Sequence, residues 1–236
     1  MSKIALIIPC YNEAVRLDTA TILNWISKRP SFDLYFINDG STDETGKLLS
    51  KLSTALPDQI QYIESKQNAG KAESIRKGIL YALQYPYTYV GYLDADLSTS
   101  LEEIERLTQL IQIQSYTGVF GSRIKKGGAI IIRSPFRHIV GRFIATIIDL
   151  RFQLNIYDTQ CGAKIFKVCI LKEVVQERFQ TRWLFDVELF LRLRKINKLQ
   201  ILEEPLHIWR DKRSSKLNFF SFPLICKELA ILFWKY

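Results

Sequence analysis

"YTYVGYLDADLSTS" occupies residues 87–100. Its apolar part, Tyr89-Val90-Gly91-Tyr92-Leu93, is short, continuous and rich in aromatic residues, which reads as a buried strand. Asp94 and Asp96 follow at its carboxyl end. Residues i and i+2 of a strand point the same way, so both carboxylates can reach one cation. Their oxygens suit a hard divalent ion, Mg²⁺ or Mn²⁺. Mg²⁺ takes one or two carboxylates and fills its shell with substrate phosphates and water, so the pair predicts a nucleotide diphosphate as the other ligand set. A structural reading competes: Asp is favoured at a helix N-terminus. Ser98, Thr99 and Ser100 already supply capping groups there.

The flanking sequence repeats the strand pattern. Residues 3–9 (KIALIIP), 33–39 (DLYFIND), 59–65 (QIQYIES) and 117–123 (TGVFGSR) read as further strands. Helical patterns lie between them at 13–27, 43–53, 70–84 and 101–114. The last puts Leu101, Ile104, Leu107, Leu110 and Ile111 on one face, with Ser100 and Glu103 as a capping box. Strands alternating with helices predict an α/β fold with a mainly parallel sheet and helices on both faces. Three polar segments fall at the carboxyl ends of strands: Pro9 to Glu13, Asn38 to Ser41, and Asp94 to Asp96. Open α/β sheets bind ligands at that edge. No GxxxxGK[ST] and no GxGxxG after the first strand is present, which argues against a P-loop or a dinucleotide-binding domain.

The second half is less regular. Residues 124–136 read as a loop, 136–152 and 185–197 as helices, and 198–205 as a strand. No repeat, low-complexity tract or dividing linker is visible. The segment 217–236 is amphipathic and carries Phe219, Phe220, Phe233 and Trp234. Three readings of it stay open: a membrane interface, packing on the domain, or a subunit contact. We divide the chain into a domain over 1–216 and this segment.

The 236 residues carry a net charge of +9, which predicts an anionic partner. The charge is localised: between Glu105 and Asp149 there is no acidic residue, but there are Arg123, Lys125, Lys126, Arg133, Arg137 and Arg142. Arginine forks bind phosphate oxygens in a bidentate manner; a solvated basic loop is the alternative. Cys10, Cys161, Cys169 and Cys226 form no CxxC pair, so neither zinc nor disulfides are expected. No apolar run reaches about 18 residues, and no secretory leader pattern opens the sequence. A cytosolic location, peripheral to a membrane, is expected.

"PCYNEA" (9–14), "INDGSTDET" (37–45), "NAGKAESIRKG" (68–78), "DADLS" (94–98) and "GSR" (121–123) occur in order. Together they resemble the family 2 glycosyltransferases with the GT-A fold. "DTQCGAKIF" (158–166), "RWLFDVELFLR" (182–192) and "WRDKRSSK" (209–216) extend the likeness to the polyprenyl-phosphate branch. That branch holds the dolichyl-phosphate glucosyltransferases and the dolichyl-phosphate mannose synthases. The resemblance covers residues 3 to about 230. It implies inverting transfer of a hexose from a nucleotide sugar, UDP-glucose in the first place, to a polyprenyl phosphate. GDP-mannose as donor, a saccharide hydroxyl as acceptor, and a non-catalytic basic module for nucleic acid or membrane are the alternatives. The last accounts for the charge but not for three acidic loops on one edge, and no nucleic-acid partner is expected.

The resemblance also implies roles. Pro9, Tyr11, Glu13, Ile37 and Asp39 would form the base and ribose pocket; Asn38 stands where the family often has a second acid. Lys71 opens a helix, where the macrodipole disfavours a cation, and so implies an anionic ligand. Asp94, Ala95 and Asp96 match the metal and donor site, with Ser98 a weaker ligand where relatives carry Gln. Arg210 and Lys216 would close over the donor phosphates. Arg123 and Arg137 would meet the lipid phosphate; Gly141 stands where mannose synthases carry Ser, removing one contact. Asp158, ahead of Asp186, would orient the sugar or act as base. Asp186 and Glu188 are alternatively plain charges on a helix face. A homo-oligomer is a further possibility.

Overall fold

The structure, a computed structural model, describes residues 2–113, 116–212 and 222–236, without the side chains of Phe136, Arg137 and Phe222. The strands are β1 (Ile4–Cys10), β2 (Phe32–Asn38), β3 (Ile60–Glu64), β4 (Tyr89–Leu93), β5 (Gly118–Ser122), β6 (Ile130–Ile132), β7 (Ala163–Lys167), β8 (Ile201–Pro205) and β9 (Ile208–Arg210). The helices are α1 (Thr19–Ile26), α2 (Thr45–Ala55), α3 (Lys71–Ala82), α4 (Leu101–Ile113), α5 (Pro135–Phe152), α6 (Val168–Val174), α7 (Phe185–Lys195) and α8 (Phe222–Lys235).

Seven strands form one sheet in the order β3-β2-β1-β4-β7-β5-β8. Only β7 runs against the others: it is antiparallel to both β4 and β5, while β1–β2, β1–β4, β2–β3 and β5–β8 are parallel. The expected mainly parallel sheet is therefore present. The reversal of β7 matters for the site. The carboxyl ends of β1, β2, β4 and β5 lie along one edge, and an antiparallel strand brings its amino end to that same edge. The segment 158–162, just before β7, thus joins the acidic loops.

Alternation along the strands builds two cores. Ile4, Leu6 and Ile8 of β1 face α1, α2 and α4, packing with Ile22, Trp25, Leu49, Leu52, Ile104 and Leu107. Ala5 and Ile7 face the other side, with Ile75 and Ile79 of α3, Ile148 of α5, Leu189 of α7 and Leu232 of α8. Period-two burial on both faces is what an inner strand of a helix-covered sheet requires.

Several local expectations change. Residues 124–136 hold β6, which pairs in parallel with β9 as a two-stranded flap. Ser100 accepts the Glu103 N–H at 3.3 Å, but the Glu103 carboxylate does not return to it. That carboxylate binds Arg106 at 3.0 Å and the His207 N–H at 3.1 Å, so the capping box is half made. Asp186 and Glu188 are not helix-face charges: both are buried. Glu188 accepts from Gln180 N, Thr181 N and Arg192 at 2.8, 3.0 and 2.8 Å.

The segment 222–235 is helical and packs on the domain through Ile225 and Leu232. Its buried Glu228 accepts the N–H groups of Arg182, Trp183 and Leu184 at 2.9, 3.0 and 2.8 Å, the last turn before α7. An anion there satisfies donors that a helix start leaves open and meets the positive end of the helix dipole. Among the described residues, no helix is long and apolar enough to cross a membrane.

Candidate active site

A cleft of about 620 Å³ opens at the carboxyl edge of the sheet. It is lined by the three acidic segments together with residues from α3, α5, the 157–162 segment and the start of α7.

The loops after β1 and β2 are tied to each other before they can meet a ligand. Ser41 Oγ accepts the Asn12 N–H at 3.0 Å, Thr45 Oγ1 accepts that of Glu13 at 2.8 Å, and Asn12 Oδ1 accepts that of Thr42 at 2.9 Å. This lattice places Pro9, Tyr11 and Glu13 on the cleft wall, with Glu13 ion-paired to Arg16. Asn38 is buried; its amide oxygen accepts the Ser41 N–H and its nitrogen donates to Tyr62 Oη. A second acid there would be a buried charge facing a tyrosine, so the neutral amide suits this chain. Asp39 spends both oxygens on the N–H groups of Ala69 and Gly70, at 2.9 and 2.7 Å. It reaches the cleft while fixing the loop that leads into α3. Ile37 does not line the cleft: its side chain is fully buried in the core, against the gap left by Gly78.

That loop delivers Lys71 from the first turn of α3. Gly70, at φ +92°, takes a conformation only glycine adopts freely, and the Arg182 guanidinium lies over it. Lys71 Nζ stands 2.5 Å from Asp94 Oδ1. The anion opposite Lys71 is thus Asp94 itself. Burial lowers the affinity of the ammonium for its proton, but Asp94, Asp186 and Asp96 override it and the net shift is upward.

Asp94 is held from behind as well. Its N–H donates to Gly162 O at 3.1 Å, and a Cβ built on Gly162 would lie 1.9 Å from Asp94 Oδ2. The glycine is required for that carboxylate to sit where it does. Asp96 Oδ1 accepts the Ser98 N–H at 2.9 Å, an Asx turn. Leu97 between them sits at φ 51°, strained backbone for a branched residue. Asp94, Ala95, Asp96 and Ser98 all line the cleft. Among the described residues no group of three or more His, Cys, Asp or Glu side chains is placed to hold a metal ion by itself.

Beneath this site Lys164 is fully buried, which is rare for lysine. Its ammonium donates to Asp186 Oδ1 at 2.6 Å and to the carbonyls of Thr159 and Cys161 at 3.0 and 2.6 Å. Tyr92 Oη also donates to Asp186. Burial, then the Asp186 charge, pushes the Tyr92 hydroxyl upward, so it keeps its proton.

At the far end Arg123 and Asp158 form a buried bidentate pair, Nε–Oδ2 and Nη2–Oδ1 both at 2.7 Å, and the Arg123 N–H adds a third bond at 3.0 Å. Burial alone would raise the Asp158 carboxyl; Arg123 holds it at about 2. A carboxyl that acidic takes no proton near neutrality, so Asp158 fits an orienting role rather than a base. Arg123 is equally committed.

Arg133 and Arg142 also line the cleft, as does Arg182. Arg210 is exposed on β9 and does not; its neighbours Trp209 and Asp211 do. The side chain of Arg137 and all of Lys216 lie outside the described residues. Gly162, Lys164 and Arg182 stand in the motifs 158–166 and 182–192, whose residue types alone give these three no role. The one sequence signal for Lys164 is a lysine set among apolar residues in "AKIF".

A family model described as glycosyl transferase family 2 matches residues 5–175. The dolichyl-phosphate beta-glucosyltransferase of Dictyostelium discoideum is 29% identical over 248 residues, covering 99% of this chain and 74% of that protein. The human protein of the same name is 28% identical over 250 residues, covering 99% and 76%. Among solved structures, glucosyl-3-phosphoglycerate synthase from Mycobacterium tuberculosis, in complex with Mn²⁺, UDP and glucosyl-3-phosphoglycerate, superposes with a TM-score of 0.71. Its identity is 16%, and the match covers 98% of this chain and 78% of that one. The same synthase bound to Mn²⁺, UDP-glucose and phosphoglyceric acid also gives 0.71. At that identity the likeness establishes the GT-A fold, and the family match spans most of the chain: the protein is a member of glycosyl transferase family 2.

Proposed function

We propose that the protein transfers glucose, with inversion, from UDP-glucose to a polyprenyl phosphate. One observation carries the reading: a single cleft has a carboxylate end at Asp94 and Asp96 and an arginine end at Arg133 and Arg142. Each end suits one phosphate-bearing substrate. The names of the relatives support glucose and a dolichyl-phosphate type of acceptor. The UDP-glucose and Mn²⁺ bound by the mycobacterial synthase support the donor.

The donor-side residues fit Mg²⁺ or Mn²⁺. Asp96 keeps one oxygen clear of its turn, Asp94 is backed by Gly162 with Lys71 on its Oδ1, and Ser98 lines the same cleft. Two carboxylates are too few to complete a shell, as expected where diphosphate oxygens supply the rest. When bound, the ion neutralises charge on the departing diphosphate. The remaining work falls to the chain. Tyr11 offers a ring face to the base. Asp39 holds the 68–70 loop, and through it Lys71, against Asp94 at the donor end of the cleft. Asp186, fixed by Lys164 and Tyr92, forms the wall beside the sugar.

The acceptor phosphate has a second pKa of about 6 and is an anionic nucleophile at neutral pH. Its oxygen forms the new bond to the anomeric carbon as the bond from that carbon to the UDP oxygen breaks. UDP leaves with the electron pair, and no proton need move. A committed base is unnecessary, which agrees with the low pKa of Asp158. Positioning then carries most of the catalysis.

The same reading sets the protein against a membrane surface, where such an acceptor resides. Ile139, Phe143 and Leu150 form one exposed stripe on α5, at 68%, 61% and 77% exposure. The test is a panel of nucleotide sugars with Mg²⁺ or Mn²⁺ and a short polyprenyl phosphate, following lipid-linked product. Glucose transfer from UDP-glucose is expected. Transfer only from GDP-mannose would overturn the donor, and product only on a saccharide hydroxyl would overturn the acceptor class.

A further inference from the structure

The segment 157–162 crosses the cleft from one end to the other. At the first end Tyr157 stacks against Arg142, whose Cζ lies 3.8 Å from the ring centroid. At the second end Gly162 lies against the Asp94 carboxylate. A chain advances at most about 3.3–3.6 Å per residue, so Gln160 stands within about 7 Å of Asp158 and of Gly162, measured along the backbone. A hexose carried on a diphosphate at Asp94 and Asp96, and presented to an acceptor at the arginine end, has to lie across this middle stretch.

Most of the segment is already committed. Asp158 is paired with Arg123. Thr159 and Cys161 are buried, and their carbonyls accept from the Lys164 ammonium at 3.0 and 2.6 Å. One buried cation thus clamps the backbone on either side of Gln160, and it also holds Asp186 at 2.6 Å. Gln160 itself is partly exposed and lines the cleft. Its Nε2 is shielded from water and has no acceptor among the described residues. A shielded donor without an acceptor costs stability. A side-chain amide carries two N–H donors and one carbonyl acceptor, a set suited to a sugar hydroxyl and its neighbour. Turning the amide onto a hydroxyl oxygen in the cleft relieves the unpaired donor. The clamped backbone sets where that hydroxyl must be.

We infer that Gln160 reads the transferred hexose, its side-chain amide donating to one hydroxyl of the donor sugar. This rests on the proposed nucleotide-sugar donor and adds to it the residue that selects among hexoses. A deoxy sugar that lacks the hydroxyl, or an epimer that moves it, leaves the amide unpaired again. A site built to pair a substrate hydroxyl discriminates in this way.

The experiment measures transfer by the full chain, with Mn²⁺ and farnesyl phosphate, from UDP-glucose and from its 2-, 3-, 4- and 6-deoxy analogues. Gln160→Met keeps the length of the side chain and removes the amide. It should lower kcat/KM for UDP-glucose about ten-fold or more, while the affinity for UDP changes by less than about two-fold. UDP binding is read by tryptophan fluorescence, since Trp183 and Trp209 line the cleft. One deoxy donor should be used equally well by parent and variant, because there the bond is missing in both. The melting temperature should stay level or rise, since an unpaired buried donor gives way to an apolar group. An unchanged kcat/KM for UDP-glucose would overturn the inference. So would an equal loss on all five donors, which marks a structural residue. If the parent transfers glucose to no polyprenyl phosphate, the acceptor class fails by itself. The same five donors compared by binding affinity then decide Gln160, and the same two results overturn it.

Discussion

Replacing Arg123 by Met tests the buried pair at the far end of the cleft. The Asp158 carboxyl lies at about 2 against an ordinary 3.8. At about 1.36 kcal/mol per pH unit, that difference contributes roughly 2 kcal/mol to folding at neutral pH. The carboxyl is depressed on folding, so the contribution is complete above about pH 4 and disappears as pH falls toward 2. Removing the guanidinium also leaves a buried, unpaired carboxylate, and breaking such a pair typically costs about 3–5 kcal/mol. Asp158 is only 7% exposed, so water cannot repair much of that loss. In Arg123→Met, burial without a partner raises the carboxyl, so the variant's deficit should shrink on acidification. Urea unfolding at pH 7, 5 and 4, followed by tryptophan fluorescence, reads both effects. A variant as stable as the parent at pH 7, or a deficit that does not shrink toward pH 4, would refute the assignment of Arg123 as the anchor of Asp158.

Asp96→Ala should reduce glucose transfer below detection and leave the melting temperature within about 2 °C, because the side chain faces the cleft rather than the core; turnover at the parent rate would remove Asp96 from the site. Gly162→Ala places a methyl group where the Asp94 carboxylate lies, so kcat/KM should fall at least ten-fold, and an unchanged value would show that Asp94 can move without consequence. Lys164→Met leaves Asp186 buried without its ammonium, and urea unfolding should register a loss of about 3–5 kcal/mol. Glu228→Gln keeps the shape of the side chain but weakens three charge-assisted bonds, for an expected loss of about 1–3 kcal/mol in the same assay.

The outline of the fold was readable because β1, β2, β4 and β5 are short apolar runs that each stop at a polar loop. Their parallel order follows from the helices between them. β7 was harder to see. "AKIFK" begins inside a polar motif, carries two lysines, and pairs with strands more than 40 residues away, so nothing local marks it. The β6–β9 flap has the same difficulty, since "III" after two glycines resembles a loop until Trp209 is placed opposite Ile131. At the site, residue types gave the chemistry of Asp94 and Asp96 but not their neighbours. That Lys71 faces Asp94, that Asp158 belongs to Arg123, and that Ile37 turns into the core are all facts of tertiary placement. The basic stretch 123–142 was visible as charge, yet which arginines stay uncompensated depends on which acids the fold brings near.

Glu228 bears on the order in which this protein becomes competent during synthesis. It holds the backbone of residues 182–184, and Arg182, Trp183 and Leu184 line the cleft. The sheet is complete once β8 has emerged, more than twenty residues earlier in the chain. A nascent chain can therefore own its whole sheet and both carboxylates of the donor site while one wall of the cleft still has three unsatisfied N–H groups. Substrate grip should appear only after α8 has left the ribosome and docked, so folding and activation are separate events in time.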